Sequence, residues 1–210
     1  MIRLPSAALL VLLPRLASAQ ILTLPSYTTD PGNWIAGGVT ALQTTALRDD
    51  SRNAYWQVDG VTAYRVAIEK SGANGTTVGA AVTISNPSLL VNTTALGLCP
   101  TGCRATASVM HYQLTYRTTS AARGSSPVAE LAVGGMRLGD VRASTGTSLA
   151  PDRTVLTLSG GGGLAFALSS TFQIEIVQEY TSIFGGGGFS GATTQWGTRV
   201  GIRFGFGAKD

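Results

Sequence analysis

The feature that most constrains this chain is a two-residue alternation whose polarity is inverted. It is clearest in 195–206, where the period of two predicts a β-strand with two distinct faces. One face carries large apolar residues, namely Trp196, Val200, Ile202, Phe204 and Phe206. The opposite face carries glycine and arginine from 197 onward: Gly197, Arg199, Gly201, Arg203 and Gly205. A strand whose charges face inward and whose apolar residues face outward is typical of a membrane barrel rather than a water-soluble sheet.

The preceding segment, Thr171–Tyr180, has the same character. Its apolar face is interrupted only by Gln178 and consists of Phe172, Ile174, Ile176 and Tyr180. Its other face holds Gln173, Glu175, Val177 and Glu179. A glycine-rich connection, 185–192, separates the two segments and predicts that they pair as a hairpin. Such pairing puts Glu175 and Glu179 on the same face as Arg199 and Arg203.

Six further segments alternate in the same way, and their connections alternate in length. The six are Trp34–Gln43, Val61–Lys70, Thr76–Ser85, Thr106–Arg117, Val128–Leu138 and Thr154–Leu168. Longer connections, 46–60, 86–105, 139–153 and 185–192, fall at one end, and the first holds the solvated charges Asp49 and Asp50. Shorter ones fall at the other end, including Asn74-Gly75, a strong hairpin signal, and the two-residue turn Ser169-Ser170. We therefore predict an all-β fold: an eight-stranded antiparallel transmembrane β-barrel, an up-and-down meander.

The composition indicates that much of the protein surface is not hydrophilic. Only 12% of its 210 residues are charged, against about 25% in ordinary soluble domains. Apolar runs of roughly 18 or more residues, which a helical membrane protein needs, are absent from the sequence. A soluble secreted β-sandwich, acting as a binding module or adhesin, remains the alternative because sandwiches also use short alternating strands.

The N-terminus predicts export. A basic start, a short apolar stretch and Ala17-Ser18-Ala19 fit a signal peptide over 1–19, which leaves a barrel domain over 20–210. Removing Arg3 and Arg15 reduces the 15 basic residues to 13 against 11 acidic ones, so the mature net charge is +2. With so little net charge and no basic stripe, nucleic acid is not an expected partner.

The two cysteines, Cys99 and Cys103, lie in one predicted external loop. In an exported protein this spacing favours a small loop disulfide. A metal site needs more ligands than these cysteines and the single histidine, His111, provide. We expect no metal and no cofactor.

The C-terminal third of the chain, roughly Val128–Phe206, resembles the small outer-membrane β-barrels of the OmpA/OmpX type. The resemblance rests on Ile174–Thr181, with its alternating apolar residues and charged-Tyr ending, and on Arg199–Phe206. It implies membrane lipid as a partner and location in the bacterial outer membrane. It also implies recognition by the outer-membrane barrel-assembly machinery through a C-terminal signal formed by Arg199, Gly201, Phe204 and Phe206.

An eight-stranded barrel is narrow enough for its own side chains to fill it. We therefore predict a structural charge network inside the barrel, formed by Arg65, Glu69, His111, Arg117, Glu130, Glu175, Glu179, Arg199 and Arg203. The expected role is structural, or one of surface interaction through the external loops. A narrow ion or solute channel is the lesser alternative. We expect no enzyme activity, since Glu175 and Glu179 lie roughly 13 Å apart along a strand, too far to act as a pair.

Overall fold

The computed structural model describes residues 31–50, 53–93, 102–119, 124–186 and 189–208. The predicted signal peptide, 1–19, lies outside these residues. Among the described residues no helix is long and apolar enough to cross a membrane. They form twelve β-strands: β1 (Pro31–Leu42), β2 (Thr45–Asp49), β3 (Ala54–Val58), β4 (Val61–Ser71), β5 (Thr76–Ser85), β6 (Ser88–Thr93), β7 (Cys103–Thr119), β8 (Ser125–Ala143), β9 (Ser148–Ala150), β10 (Arg153–Ala167), β11 (Phe172–Gly186) and β12 (Phe189–Ala208).

Eight of these strands form a closed antiparallel ring, in the order β1, β4, β5, β7, β8, β10, β11 and β12. The ring closes where β12 pairs with β1, for example Val200 opposite Val39. The predicted eight-stranded barrel is therefore confirmed. A two-sheet sandwich is wrong, because a single sheet closes on itself and leaves the ring without an edge.

The other four strands extend the barrel beyond its expected height. β2, β3 and β6 pair in sequence between β12 and β7, and β9 pairs with the end of β8. We call this extension, with the adjoining ends of β7, β8, β11 and β12, the rim. The expectation of long connections over 46–60, 86–105, 139–153 and 185–192 is therefore wrong where β2, β3, β6, β9 and the ends of their neighbours occupy them. β2, β3 and β6 are short and their outward residues are mostly polar, so their sequences are typical of loops although most of their inward residues are apolar.

The opposite end of the barrel has short turns. The predicted hairpin at Asn74-Gly75 joins β4 to β5 through a four-residue turn, 72–75, with one turn of 3-10 helix over Ala73–Gly75. Asn74 and Gly75 both have positive φ, +54° and +74°. The predicted two-residue turn at Ser169-Ser170 is wrong, because β10 ends at Ala167 and β11 begins at Phe172. The backbone N–H groups of Leu168 and Ser169 both donate to the Phe172 carbonyl and close a four-residue turn.

The wall has an apolar outer surface, which we call the belt. Its large exposed side chains include Ile35, Val39, Val66, Ile68, Val82, Leu114, Leu131, Leu158, Leu164, Ile176, Val200, Ile202 and Phe204. Successive residues point to opposite faces, so their neighbours on each strand point into the barrel. Tyr180 and Trp196 pack edge to face, 4.8 Å between ring centroids. Both lie well inside their strands, β11 and β12.

Inward glycines let neighbouring strands approach closely. A Cβ on Gly134 or Gly163 would lie 1.9 Å from the carbonyl oxygen of Tyr112 or Ile176 respectively. On the outer surface, the ring of Tyr112 covers Gly135, where a Cβ would come within 2.7 Å of it. The narrow, curved wall therefore depends on which side each glycine faces.

Candidate functional site within the barrel

All nine charged or titratable residues expected inside the barrel are on its inward side. Eight of them form ion pairs, which together we call the charge network. Six belong to one connected set: Arg65, Arg117, Glu130, Glu175, Glu179 and Arg199. Glu69 and Arg203 form a separate pair beside it. They come from β4, β7, β8, β11 and β12, so each is placed by the alternation of its own strand. The network lies at the level of the belt.

Glu130 is at the centre of the charge network. Its carboxylate accepts from Arg199 at 2.6 Å and lies 2.7 Å from the Arg65 guanidinium. Arg117 approaches the same carboxylate at 3.9 Å. One buried acid thus joins three strands that are far apart in sequence.

Glu175 and Glu179 connect the same cations from β11. Arg117 donates to Glu175, and Arg199 Nε lies 3.4 Å from the Glu175 carboxylate. Arg199 also donates to Glu179 at 3.2 Å. Both acids therefore pair with Arg199, with which they share the inward face.

A second group closes the short-turn side of the charge network. Arg203 donates to the Glu69 carboxylate and, at 3.0 Å, to the Gln173 amide oxygen. Its guanidinium carbon lies 4.5 Å from the centre of the Trp34 ring. Thr77 also donates to Glu69, at 3.2 Å. Trp34 and Gln173 were not predicted to belong to this cluster, although Gln173 is on the inward face of its strand.

The charge network contains four guanidinium groups and four carboxylates, so its formal charges cancel. Charges buried without partners are very costly, and pairing with further hydrogen bonds offsets that cost. Little space remains around them: a cavity of about 10 Å³ lies beside Arg65, Glu69, Glu175 and Arg199. Such a volume holds about one water molecule.

The structure does not bring His111 into the charge network. It is buried on β7, and its Nε2 has no hydrogen-bond partner among the described residues. Two residues further along the strand, Gln113 donates to Ser159 at 2.9 Å, and Ser159 lies 2.8 Å from the Thr181 hydroxyl. Uncharged polar side chains therefore continue the interior from the charge network toward the rim.

The interior of the rim is apolar, which the sequence analysis missed. We call this cluster the apolar plug: Leu47, Ala54, Trp56, Val58, Leu89, Val91, Ala105, Ala107, Val109, Met136, Leu138, Val141, Leu149, Ala150, Val155, Ile183 and Phe189. Trp56 packs edge to face against Phe189, with ring centroids 6.1 Å apart. The alternation of 45–49 and 54–58 carries this signal, although the sequence predicts a connection over 46–60.

One ion pair crosses the apolar plug. Asp49 is fully buried and its carboxylate lies 2.8 Å from Arg153 Nη1. The Arg153 guanidinium carbon lies 4.9 Å from the centre of the Phe189 ring. The expectation that Asp49 is a solvated loop charge is therefore wrong, whereas its neighbour Asp50 is exposed and pairs with Arg48 at 2.7 Å.

The outer surface of the rim carries ion pairs, although Tyr55 and Leu90 are also exposed there. Arg142 lies 3.5 Å from Asp140, and Arg137 donates to Asp152. The hydrogen bond from Arg137 and another from the Asp140 backbone N–H lower the pKa of Asp152 below its ordinary value. Water-facing charges outside and apolar residues inside make the rim resemble a soluble protein.

Two predictions reach beyond what the structure describes. Cys103 begins β7, but Cys99 lies outside the described residues, so the Cys99–Cys103 disulfide stays a prediction. Arg199, Gly201, Phe204 and Phe206 lie on β12, with Phe204 and Phe206 exposed on the belt and Arg199 inside the charge network. Their recognition as an assembly signal also stays a prediction.

No protein-family model and no curated protein matches this chain. Among solved structures, Neisserial surface protein A is similar with a TM-score of 0.61 at 10% identity, over 83% of this chain and 97% of that one. The outer membrane protein OprG of Pseudomonas aeruginosa is similar with a TM-score of 0.61 at 16% identity, over 86% and 98%.

These matches and the closed ring define the class. The chain has the fold of the small eight-stranded outer-membrane β-barrels, as the OmpA/OmpX-like resemblance implied. At such low identity the matches establish the fold alone.

Proposed function

We propose that the mature protein is an outer-membrane barrel whose role is structural or one of surface interaction, with partners bound by the rim and its connections. The observation that carries this proposal is that the interior is filled at two levels. The charge network fills the part inside the belt, and the apolar plug fills the part inside the rim. Because side chains fill the barrel along its length, partners are expected to bind on its outer surface and at the rim.

The belt and the rim support this location. Backbone groups in hydrocarbon must be hydrogen-bonded within the protein, which a closed ring of strands achieves. Aromatic and aliphatic side chains cover the belt, and ionised pairs cover the rim. Export by the signal peptide 1–19 and recognition of β12 by the assembly machinery complete the proposal.

Two threonines at opposite ends of the barrel test the orientation. Thr145 is exposed at the tip between β8 and β9, and Thr171 is exposed in the turn before β11. With a membrane-impermeant maleimide on whole cells, we expect labelling of Thr145→Cys and not of Thr171→Cys. Both should label after permeabilisation, and the wild-type chain measures reaction at Cys99 and Cys103. Labelling of Thr171→Cys alone, or recovery of the protein in a soluble fraction, would overturn the proposal.

Planar-bilayer recordings test the filled interior. We expect no stepwise ion current from purified wild-type protein, because neither the charge network nor the apolar plug leaves a continuous path. Current steps whose size changes in Glu130→Gln would favour the narrow channel instead.

A further inference from the structure

The belt has one polar interruption that the charge network and the rim do not explain. Gln178 on β11 and Thr198 on β12 are cross-strand partners, and both are exposed on the outer surface. On one side of them lies the aromatic pair Tyr180–Trp196, and on the other lies Ile176–Val200. Ile174–Ile202 and Phe172–Phe204 follow further along the same two strands. The polar pair therefore lies inside the belt and not at its boundary.

The hydrogen bond between these two side chains uses only some of their polar atoms. The Thr198 hydroxyl donates to the Gln178 amide oxygen at 2.8 Å. The Gln178 amide nitrogen has no hydrogen-bond partner among the described residues. Lipid chains provide no acceptor, so an amide N–H₂ in hydrocarbon carries a desolvation cost that another molecule's acceptor would remove.

The cross-strand neighbours that flank the polar pair on β10 and β1 are small. Gly162 is the cross-strand neighbour of Gln178 on β10, and Ala41 is the neighbour of Thr198 on β1. A Cβ on Gly162 would find no atom closer than 3.8 Å, so the outer side of this glycine is open. Small residues in a membrane-facing surface let a second backbone approach closely, and polar side chains among them hydrogen-bond across the interface.

We propose that this surface, formed by Ala41, Gly162, Gln178 and Thr198, is a contact between two copies of the chain in the membrane. A carboxamide carries both a donor and an acceptor, so it is complementary to itself across a two-fold axis. Each Gln178 then donates to the carboxamide oxygen of the other copy while keeping its bond from Thr198. The inference rests on the proposed membrane location.

The test is energy transfer between donor-labelled and acceptor-labelled Thr145→Cys protein in lipid vesicles, titrated over the protein-to-lipid ratio. Gln178→Leu/Thr198→Val removes the polar pair and keeps the apolar belt. We expect the dimerisation of this double variant to be about tenfold weaker, because it loses two hydrogen bonds of modest strength between the two copies. Leu114→Val, a lipid-facing change across the ring on β7, is the matched control and should dimerise like the parent.

Folding is monitored separately by the mobility shift on boiling in SDS, which all three proteins should show. A parent protein that shifts on boiling but stays monomeric at every protein-to-lipid ratio would overturn the two-copy contact and leave the proposed function intact. Equal dimerisation of parent and double variant would also overturn it. Failure of the parent to enter the membrane would overturn both proposals.

Discussion

The two halves of the barrel interior solve the same packing problem with opposite chemistry. Inside the belt, eight ionised side chains fill the ring and neutralise one another. Inside the rim, a tryptophan, a phenylalanine and aliphatic residues fill it. The outer surfaces have the opposite polarity to these interiors: the belt is apolar outside, and the rim carries charges outside.

On the proposed membrane location, the difference follows from the solvent that surrounds each part of the wall. In hydrocarbon the outer face must be apolar, so the period of two leaves polar residues for the inner face. In water the outer face is free to be polar, and the inner face becomes an ordinary hydrophobic core. Even there the separation is incomplete, since Asp49 and Arg153 cross the apolar plug as a buried pair.

The largest effect is expected from removing the acid at the centre of the charge network. Glu130→Leu leaves Arg65 and Arg199 without their shortest ionic contacts, and breaking a buried pair from one side costs about 4 kcal/mol. The free energy of unfolding in vesicles, from urea titration, measures the loss. The double variant Glu130→Leu/Arg65→Leu should recover more than half of it, because it removes one of the stranded charges. A double variant less stable than the single one would show that size, rather than charge, matters here.

The apolar plug is tested at Trp56, which is 1% exposed. Trp56→Ala should lower the free energy of unfolding by about 3 kcal/mol, since it opens a cavity in the cluster. Its indole N–H has no hydrogen-bond partner among the described residues, so Trp56→Phe should cost less than about 1.5 kcal/mol. Urea unfolding of both variants measures this. If alanine and phenylalanine cost the same, the rim interior is not packed like a hydrophobic core.

The four glycines 160–163 test how little space the belt interior has. Gly163→Ala puts a methyl group against the Ile176 carbonyl on the inner side, and relieving the overlap should cost about 2 kcal/mol. Gly162→Ala points outward into open space and should change stability by less than about 0.5 kcal/mol. The fraction folded on SDS gels before boiling compares the two. Equal tolerance of both alanines would mean that the wall is free to widen.

The belt half of the fold follows from the sequence because its alternation is strong on both faces. Ile174 and Ile176 alternate with Glu175, and Ile202 and Phe204 alternate with Arg203, so strand, face and register are all determined locally. The charge network then follows from closure, which brings inward residues of distant strands together. Its individual pairings, such as Arg203 with Glu69, depend on ring geometry that no single segment records.

The rim was not predicted because its strands are short and their polarity is ordinary. The segment 45–49 alternates threonine, leucine and aspartate inward with alanine and arginine outward, a pattern that fits a polar loop as well as a strand. Only pairing with 54–58 and with the end of β12 reveals that Leu47 and Asp49 face a core. Non-local pairing therefore decided this region, and local pattern decided the belt.

The smallest effect is expected on the outer surface of the rim, where charges face water. Asp152 has a pKa lowered by its hydrogen bonds from Arg137 and the Asp140 backbone, so folding favours its ionised form. That contribution is present above the ordinary carboxyl pKa of about 4 and is lost as pH falls through the lower folded value. Asp152→Asn should therefore flatten the stability profile below about pH 4, because the variant is slightly less stable than the parent at pH 7 and equal to it at the acidic end. Arg137→Gln should flatten the same acidic part of the pH profile, measured by urea unfolding, because it removes the partner instead of the acid.

Added salt should reduce the difference in stability between parent and variants, since water and ions screen an exposed pair. A salt-independent difference would mean that the rim surface is buried by another molecule, and the contrast between rim and belt would then need to be redrawn.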